Sequence, residues 1–240
     1  MQILHPFAGS IQLYLKAISD PDLYRPDHCP QCEAKQPLTG HGFYSRTLVD
    51  PAFDGMIRVR RYLCRLCQRT VSLLPDFALP WLRFSLTVIS LFLVARLLQG
   101  RTLAAAAQAA QQTAMPYQRG QFWIRRFCKQ APALGVALAP LASSPPAPDF
   151  VSRAVAMFEA IGWIAAHRFL FAEVRAHLLG WPDSLAPQGR RAGWSRWAPS
   201  PEAPHTAFAW MPMAMAGYRR AWRFSRCTPK PKNSLCSATV

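Results

Sequence analysis

Two Cys-x-x-Cys pairs, CPQC at residues 29–32 and CRLC at residues 64–67, have the spacing that most clearly indicates chemistry in this sequence. Each such turn can place two sulfurs on one side of a metal ion, and two turns together supply four thiolates at the corners of a tetrahedron. The pattern therefore predicts one structural zinc ion, held by Cys29, Cys32, Cys64 and Cys67.

Other interpretations of the cysteines are weaker. A thioredoxin-like redox pair opens a helix within a βαβ pattern, and neither pair lies in one. An iron–sulfur centre or a coincidental pairing stays open as an alternative. His28 and His41 could substitute for a ligand but are interpreted as bystanders. Cys128, Cys227 and Cys236 show no partner spacing, and Cys128 is interpreted as an ordinary packed thiol.

The charge of the chain favours a polyanion as its partner. The 240 residues carry 28 Lys and Arg against 12 Asp and Glu, a formal net charge of +16. Between Arg58 and Lys129 there are twelve basic residues and one acid, Asp76, so this stretch alone carries +11. Such a balance indicates nucleic acid or an anionic membrane surface.

Strands are expected to position the cysteines. The stretches HGFYSRTLVD at residues 41–50 and IRVRRYLC at residues 57–64 are rich in β-formers, and the second alternates apolar and polar residues. Residues 1–27 contain turn signals and predict at most a short helix. Pro75 and Pro80 predict an extended connector after Cys67.

Three helices are predicted after the connector. The first runs from Ser85, as N-cap, to Gln99, and apolar residues surround its axis as in a central buried helix. The second covers about residues 102–112, and the third begins near Pro116 and continues to about Gln130. A short connection between the second and third helices fits a helix-turn-helix, although a small helical bundle with a solvated basic face has the same pattern.

The third helix is amphipathic. Its docking face is predicted to contain Gly120, Trp123, Ile124 and Phe127. In a helix-turn-helix, residues near the N-terminal end of this helix would face base edges; here they are Gln118, Arg119 and Gln121. Residues further along would contact phosphates; here they are Arg125, Arg126 and Lys129.

The remaining residues divide by composition. The predicted segments are an N-terminal segment (1–27), the zinc ribbon and connector (28–80), the helix-turn-helix (81–132), a Pro/Ala-rich linker (133–149), a helical segment (150–180) and an irregular basic tail (181–240) whose last residues are expected to be disordered. The predicted fold class is α+β, a small β-rich zinc ribbon followed by an all-α helix-turn-helix and further helices.

The N-terminus lacks the features of a secretory signal, which predicts a cytoplasmic, nucleoid-associated protein. The apolar run at residues 85–95 is shorter than the roughly twenty residues that cross a bilayer. A competing hypothesis places the basic tail at an anionic membrane surface with four tryptophans, Trp194, Trp197, Trp210 and Trp222.

The motifs CPQC, HGFYSR and RYLCRLCQRT, followed by GRTLAAAAQAA and YQRGQFWIRRF, resemble bacterial insertion-sequence proteins that start with a zinc ribbon and a helix-turn-helix. More narrowly, the sequence is similar to an uncharacterised transposase-like family with these two modules, over about residues 10–130. The resemblance implies zinc at the four paired cysteines and double-stranded DNA as the partner. No membrane and no small-molecule substrate are expected as partners.

The sequence departs from this pattern in two ways. Ribbon knuckles often carry Gly after the second cysteine, where Glu33 and Gln68 stand here. Transposases that cut DNA use two Asp and a Glu to bind divalent metal ions. The acids after the third helix are interpreted as surface residues; they are Asp149, Glu159, Glu173, Asp183 and Glu202.

The sequence thus resembles the DNA-recognition end of a transposase, with C-terminal helices that could pair with a partner protein or with a second copy. The alternative is a transposase or nuclease with a divergent metal-dependent catalytic domain that uses Asp149, Asp183 or Glu202. A further possibility is that the C-terminal third is a decayed remnant without its own fold.

Overall fold

A computed structural model describes residues 1–182 except 8, 19, 21, 23, 144 and 145, and all the described residues lie within one compact unit. The predicted α+β class is confirmed: a four-stranded sheet in the N-terminal region is followed by helices. The elements in chain order are β1 (Gln2–His5), α1 (Ile11–Ala17), β2 (Leu38–Asp50), β3 (Phe53–Cys64), β4 (Thr70–Pro75), α2 (Leu86–Leu93), a π-helix (Val94–Leu98), α3 (Leu103–Ala109), α4 (Tyr117–Leu138), α5 (Phe150–Ile161), α6 (Trp163–Phe169) and a second π-helix (Leu170–Val174).

The sheet has the strand order β1-β4-β3-β2. β2 and β3 form a long antiparallel hairpin, β4 continues it antiparallel to β3, and β1 joins β4 in parallel. The two predicted β-rich stretches are therefore confirmed as strands. The prediction missed β1, and it missed that the connector after Cys67 begins with a strand, β4, which ends at Pro75.

Alternation along β3 sorts its residues between the core and solvent. Ile57 and Val59 are fully buried, whereas Arg58 between them is exposed. Tyr14 of α1 packs into the same cluster as these two residues, and its hydroxyl donates to the carbonyl of Arg58 at 2.8 Å. The hairpin and α1 thus share one apolar core.

The predicted helix starts are confirmed. The Ser85 hydroxyl accepts from the amide of Val88 at 3.1 Å, and the Thr102 hydroxyl accepts from the amide of Ala105 at 3.2 Å. α4 begins directly after Pro116. α2 is buried on most sides, as expected for a central helix, and its last turns widen into the first π-helix before Gly100 adopts a left-handed backbone with φ 65°.

α4 runs beyond its predicted end near residue 130, through Pro132 to Leu138, so the predicted linker at 133–149 begins within a helix. The reason is that Ala131, Leu134 and Leu138 continue the buried stripe of Trp123 and Phe127. Pro132 lies on the exposed side of this helix.

α5 and α6 belong to the same hydrophobic core as α2, α3 and α4. The rings of Phe127 on α4 and Phe158 on α5 lie 6.2 Å apart, and Phe158 stacks on Trp163 at the start of α6. The prediction set the helical segment 150–180 apart from the helix-turn-helix. The structure packs the two segments together.

The described part of the chain contains no single helix of the length and apolarity needed to cross a membrane. One pair of consecutive helical segments, Phe150–Ile161 and Trp163–Val174, reaches that length and apolarity only when the two are taken together, and the pair bends by 103° at the break between them.

Candidate metal centre and nucleic-acid interface

The four paired cysteines converge at one end of the sheet. Cys29 Sγ lies 3.7 Å from Cys67 Sγ, and Cys32 Sγ lies 3.7 Å from Cys64 Sγ. All four sulfurs lie within 4.8 Å of one another. A tetrahedral ion with metal–sulfur bonds of about 2.3 Å separates its sulfurs by about 3.8 Å. The cluster therefore has the dimensions of a four-thiolate metal site.

The two knuckles have the same backbone hydrogen bonds. The amide of Cys29 donates to the carbonyl of Ala34 at 2.9 Å, and the amide of Cys64 donates to the carbonyl of Arg69 at 3.0 Å. Each bond spans five residues and closes the loop that carries one cysteine pair. Two loops with the same hydrogen bonds can each supply two sulfur ligands to one ion.

Glu33 and Gln68, which stand where knuckles often carry glycine, adopt the left-handed conformation with φ of 59° and 54°. Their amides donate back to the carbonyls of Cys29 and Cys64 at 2.8 and 3.0 Å. The tight turn is thus made without glycine. Its backbone strain is of the order of 1–2 kcal/mol for each residue.

Backbone amides also point at the sulfurs. The amide of Cys67 donates to Cys64 Sγ at 3.5 Å and lowers the pKa of that thiol to about 7. The amide of Gln31 lies 3.4 Å from Cys29 Sγ in the other knuckle. Donors near this sulfur favour its thiolate, the form that binds a metal, whereas desolvation raises the pKa of the neighbouring Cys67 thiol to about 12.

A small cluster of buried side chains supports the cysteines; it contains Cys29, Leu38, Tyr62, Cys64, Val71 and Leu73. Cys64 is the last residue of β3 and pairs with Leu38, the first residue of β2. Within the described ranges, the four cysteines are the one group of three or more metal-type side chains close enough to hold an ion. Cys128 lies half-buried on α4, outside this cluster.

α3 and α4 form the two helices of the predicted helix-turn-helix, joined by residues 110–116. α3 packs through Ala106, Ala107 and Ala110, whose small side chains allow a close approach. Gly120 of α4 sits against Phe92 of α2, where a Cβ would lie 2.8 Å from the ring. α2 and α4 are therefore in intimate contact.

α4 has the two faces that its sequence predicts. Gly120, Trp123 and Phe127 are buried, and the Trp123 ring packs edge-on against Phe84 and Phe92. Four of the predicted DNA-contacting residues are exposed; they are Gln118, Arg119, Arg125 and Lys129. Gln121 is half-buried, and its amide donates to the Tyr117 hydroxyl at 2.9 Å.

Arg126 has a different position from the one predicted. Its guanidinium donates to three backbone carbonyls after the second π-helix, those of Leu179 at 2.8 Å, Gly180 at 3.1 Å and Trp181 at 3.0 Å. It is half-buried and fixes the segment after α6 against α4. We therefore assign Arg126 a structural role and omit it from the candidate phosphate contacts.

The acids considered for catalysis do not come together in the part of the chain that the structure describes. The Asp149 carboxylate caps α5, where it accepts from the amides of Val151 and Ser152 at 2.8 Å. Glu159 accepts from the Trp163 indole, and Glu173 is exposed. Several predicted features lie outside the described residues: Asp183, Glu202, Cys227, Cys236, the four tail tryptophans and the predicted disorder of the tail.

The sequence prediction missed Arg46. This arginine lies on β2 in register with Ile57, on the face that carries buried Leu48. A cation at an inward position of an alternating strand was the signal that could have revealed it.

Comparisons with known proteins cover part of the chain. Residues 29–114, a stretch from the first paired cysteine to the turn before α4, match the model of a family described as a domain of unknown function (DUF6431). Searches of curated proteins and of solved structures found no significant match.

Proposed function

We propose that this chain is a zinc-ribbon and helix-turn-helix DNA-binding protein of mobile-element, transposase-like type, without a catalytic site of its own. The observation that carries the proposal is the division of α4 into a buried face and an exposed face. Trp123 and Phe127 fix the helix to the core, and Arg125 and Lys129 extend from its other side.

The charge distribution supports an anionic partner. Asp76, the single acid between residues 58 and 129, is fully buried and paired with Arg168. The charge of Asp76 therefore offsets little of the positive charge at the surface of this stretch. The exposed cations of the same stretch are Arg58, Arg65, Arg69, Arg83, Arg101, Arg119, Arg125 and Lys129. Such a surface attracts the phosphates of duplex DNA.

The roles within α4 follow from position. Gln118 and Arg119 stand in the first turn, where a recognition helix meets base edges in the major groove. Arg125 and Lys129 stand about two and three turns later on the exposed side, where they would reach phosphates. Gln121 donates one N–H to the Tyr117 hydroxyl, and its second N–H and its carbonyl oxygen remain available to a base.

We assign the metal as one structural zinc ion at Cys29, Cys32, Cys64 and Cys67. The sulfur spacing fits this ion, and four thiolates form a closed shell without an open position for a substrate. The ion would take the place of a larger core beneath the knuckles. It would also hold the β2–β3 hairpin as a rigid unit.

The proposal implies a cytoplasmic, nucleoid-associated protein. It leaves room for self-association or a partner protein at the C-terminal helices. The alternative, a metal-dependent nuclease or transposase, has less support, because Asp149 and Glu159 serve the local structure of α5 and α6. Strand cleavage with Mg²⁺ that disappears in Asp149→Ala would favour that alternative.

The test measures by anisotropy the affinity of the zinc-loaded full chain for a mixed-sequence duplex at a series of salt concentrations. We expect the affinity to fall steeply as the salt concentration rises. Arg125→Gln and Lys129→Gln each remove one phosphate contact, so each should reduce the slope of log affinity against log salt concentration by about 0.9. Arg175→Gln, the same charge change at an exposed position after α6, is the matched control. Binding that is unaffected by chelation and by both α4 variants would refute the proposal.

A further inference from the structure

A groove lies between β2 and the connector that joins β4 to α2. Its volume is about 250 Å³. The residues that line it include two arginines and no carboxylate; they are Gln2, Tyr44, Arg46, Thr47, Trp81, Leu82 and Arg83. The composition of the wall alone favours an anionic ligand.

Arg46 forms the floor of this groove as a half-buried cation. Its guanidinium donates to the carbonyls of Leu79, at 3.0 Å, and Leu82. Among the described residues no carboxylate forms an ion pair with it. Burial lowers the pKa of Arg46 from its usual value. A cation withdrawn from water without an acid partner is stabilised when an anion binds beside it.

Tyr44 supplies a second donor. Its hydroxyl accepts from the side-chain amide of Gln2 at 3.3 Å. A phenolic hydroxyl accepts with its lone pairs and donates with its one hydrogen. Because Gln2 acts as the donor in this bond, the hydrogen of the Tyr44 hydroxyl remains available to a ligand. The exposed guanidinium of Arg83 adds a third group at the rim.

Trp81 supplies an aromatic wall. Its backbone is left-handed, with φ 51°, which is uncommon for a bulky residue and recurs at functional sites. The indole is fixed edge-on to Phe122, with ring centroids 6.5 Å apart, and lies 5.1 Å from the ring of His177. A rigid indole beside cationic donors is the combination that binds a nucleotide through its base and its phosphate.

The groove is smaller than the roughly 300–1,000 Å³ of drug-sized pockets, and it is too narrow for a duplex. A base within a duplex is also paired and stacked, so it cannot lie against Trp81. We propose that the groove binds one unpaired nucleotide of a DNA strand, with the phosphate at Tyr44, Arg46 and Arg83 and the base against Trp81. This inference deepens the proposed function and rests on it.

The test compares two DNA probes with equal numbers of phosphates, a blunt duplex and a shorter duplex with a single-stranded overhang. The full zinc-loaded chain is titrated with each probe at one salt concentration. We expect the overhang probe to bind about tenfold more tightly, the gain expected from one stacked base. The ratio of the two affinities is insensitive to a general loss of positive charge.

Three variants locate the effect. We expect Arg83→Gln and Tyr44→Phe to bring the ratio close to one, and Arg175→Gln, the matched control, to keep the wild-type ratio. Trp81→Leu removes the ring and should have the same effect as Arg83→Gln; thermal unfolding of each variant identifies any that fail to fold. Tyr44→Phe keeps its ring packing and so remains informative if Trp81→Leu does not fold.

A competition experiment distinguishes a nucleotide from free inorganic phosphate as the ligand of the groove. We expect thymidine 5′-monophosphate to remove the overhang preference at concentrations where inorganic phosphate does not. Equal competition by both would overturn the assignment of a nucleotide. If the blunt duplex binds and the overhang probe binds no more tightly than it does, the nucleotide site in the groove is refuted and the proposed function stands. Tight binding of the overhang probe without binding of the blunt duplex would support the groove and refute the duplex proposal, and binding of neither probe would refute both.

Discussion

Arg168 on α6 donates its Nε–H to the carboxylate of Asp76 at 2.6 Å, across 92 positions of the chain. Asp76 is fully buried just after β4, and its own amide donates to the carbonyl of His5 in β1 at 3.1 Å. One residue, through its side chain and its amide, therefore connects the edge strand, the end of β4 and the last α-helix. The ribbon and the helices are joined through this ion pair, in which Asp76 is buried and Arg168 is partly exposed.

The first prediction concerns that ion pair. Arg168→Met leaves the buried Asp76 carboxylate without its partly exposed cation, and we expect the free energy of unfolding to fall by about 1–3 kcal/mol. Urea denaturation measures the change. Arg175→Met, an exposed arginine six residues after the end of α6, should change stability by less than about 0.5 kcal/mol. If Arg168→Met were as stable as this control, the pair would have no structural role; adding Asp76→Asn should restore part of the loss.

Two glycines on α4 give opposite expectations for the same substitution. Gly120→Ala places a Cβ 2.8 Å from the buried ring of Phe92, and we expect a net loss of about 1–2 kcal/mol from overpacking. Gly135→Ala has no neighbour within 4 Å and should gain about 0.5–1 kcal/mol from helix propensity. Thermal unfolding of both variants measures the difference. Equal effects would mean that α2 and α4 are not in close contact.

Metal content follows from the cysteine geometry. We expect one zinc ion in each purified chain by elemental analysis, and loss of the ion in Cys64→Ser because one thiolate of the closed shell is gone. Cys128→Ser should keep a full equivalent. Structural zinc sites contribute an apparent binding free energy of about 10–16 kcal/mol, so chelation should also unfold the ribbon. Iron with visible charge-transfer absorption, or metal retained in Cys64→Ser, would contradict the assignment.

A buried histidine predicts how stability depends on pH. His167 is fully buried, neither of its ring nitrogens has a hydrogen-bond partner among the described residues, and burial lowers its pKa to about 4. An unfolded histidine has a pKa of about 6.5, so between these two values the unfolded chain binds more protons. The contribution of His167 is therefore fully present above about pH 6.5. It is lost progressively as the pH falls toward about 4.

Denaturation midpoints between pH 7 and pH 4.5 check this expectation. His177, whose pKa burial also lowers, shifts in the same direction. We therefore expect His167→Leu to reduce the slope of stability against pH by up to about 1.4 kcal/mol per pH unit and not to abolish it. An identical slope in wild type and variant would show that His167 does not titrate in this range.

The sequence alone determined the features that depend on near neighbours. Each Cys-x-x-Cys pair is a local turn, and the alternation of IRVRRYLC is a property of one strand. Ser85, Thr102 and Pro116 act within one turn of the helices that they begin. These signals were sufficient to predict the fold class, the β-rich stretches of β2 and β3, the starts of α2, α3 and α4, and the four cysteines that meet.

Only the tertiary structure decided the features that join distant residues. The parallel pairing of β1 with β4 has no local signature, and the persistence of α4 past Pro132 depends on the burial of Leu134 and Leu138 in the core that α4 shares with α5. Arg126 appeared free in the sequence because its carbonyl partners lie more than fifty residues away. The Asp76–Arg168 pair and the groove over Arg46 arise in the same way. Hydrogen bonds and ion pairs across such separations depend on how whole elements pack, which local spacing does not encode.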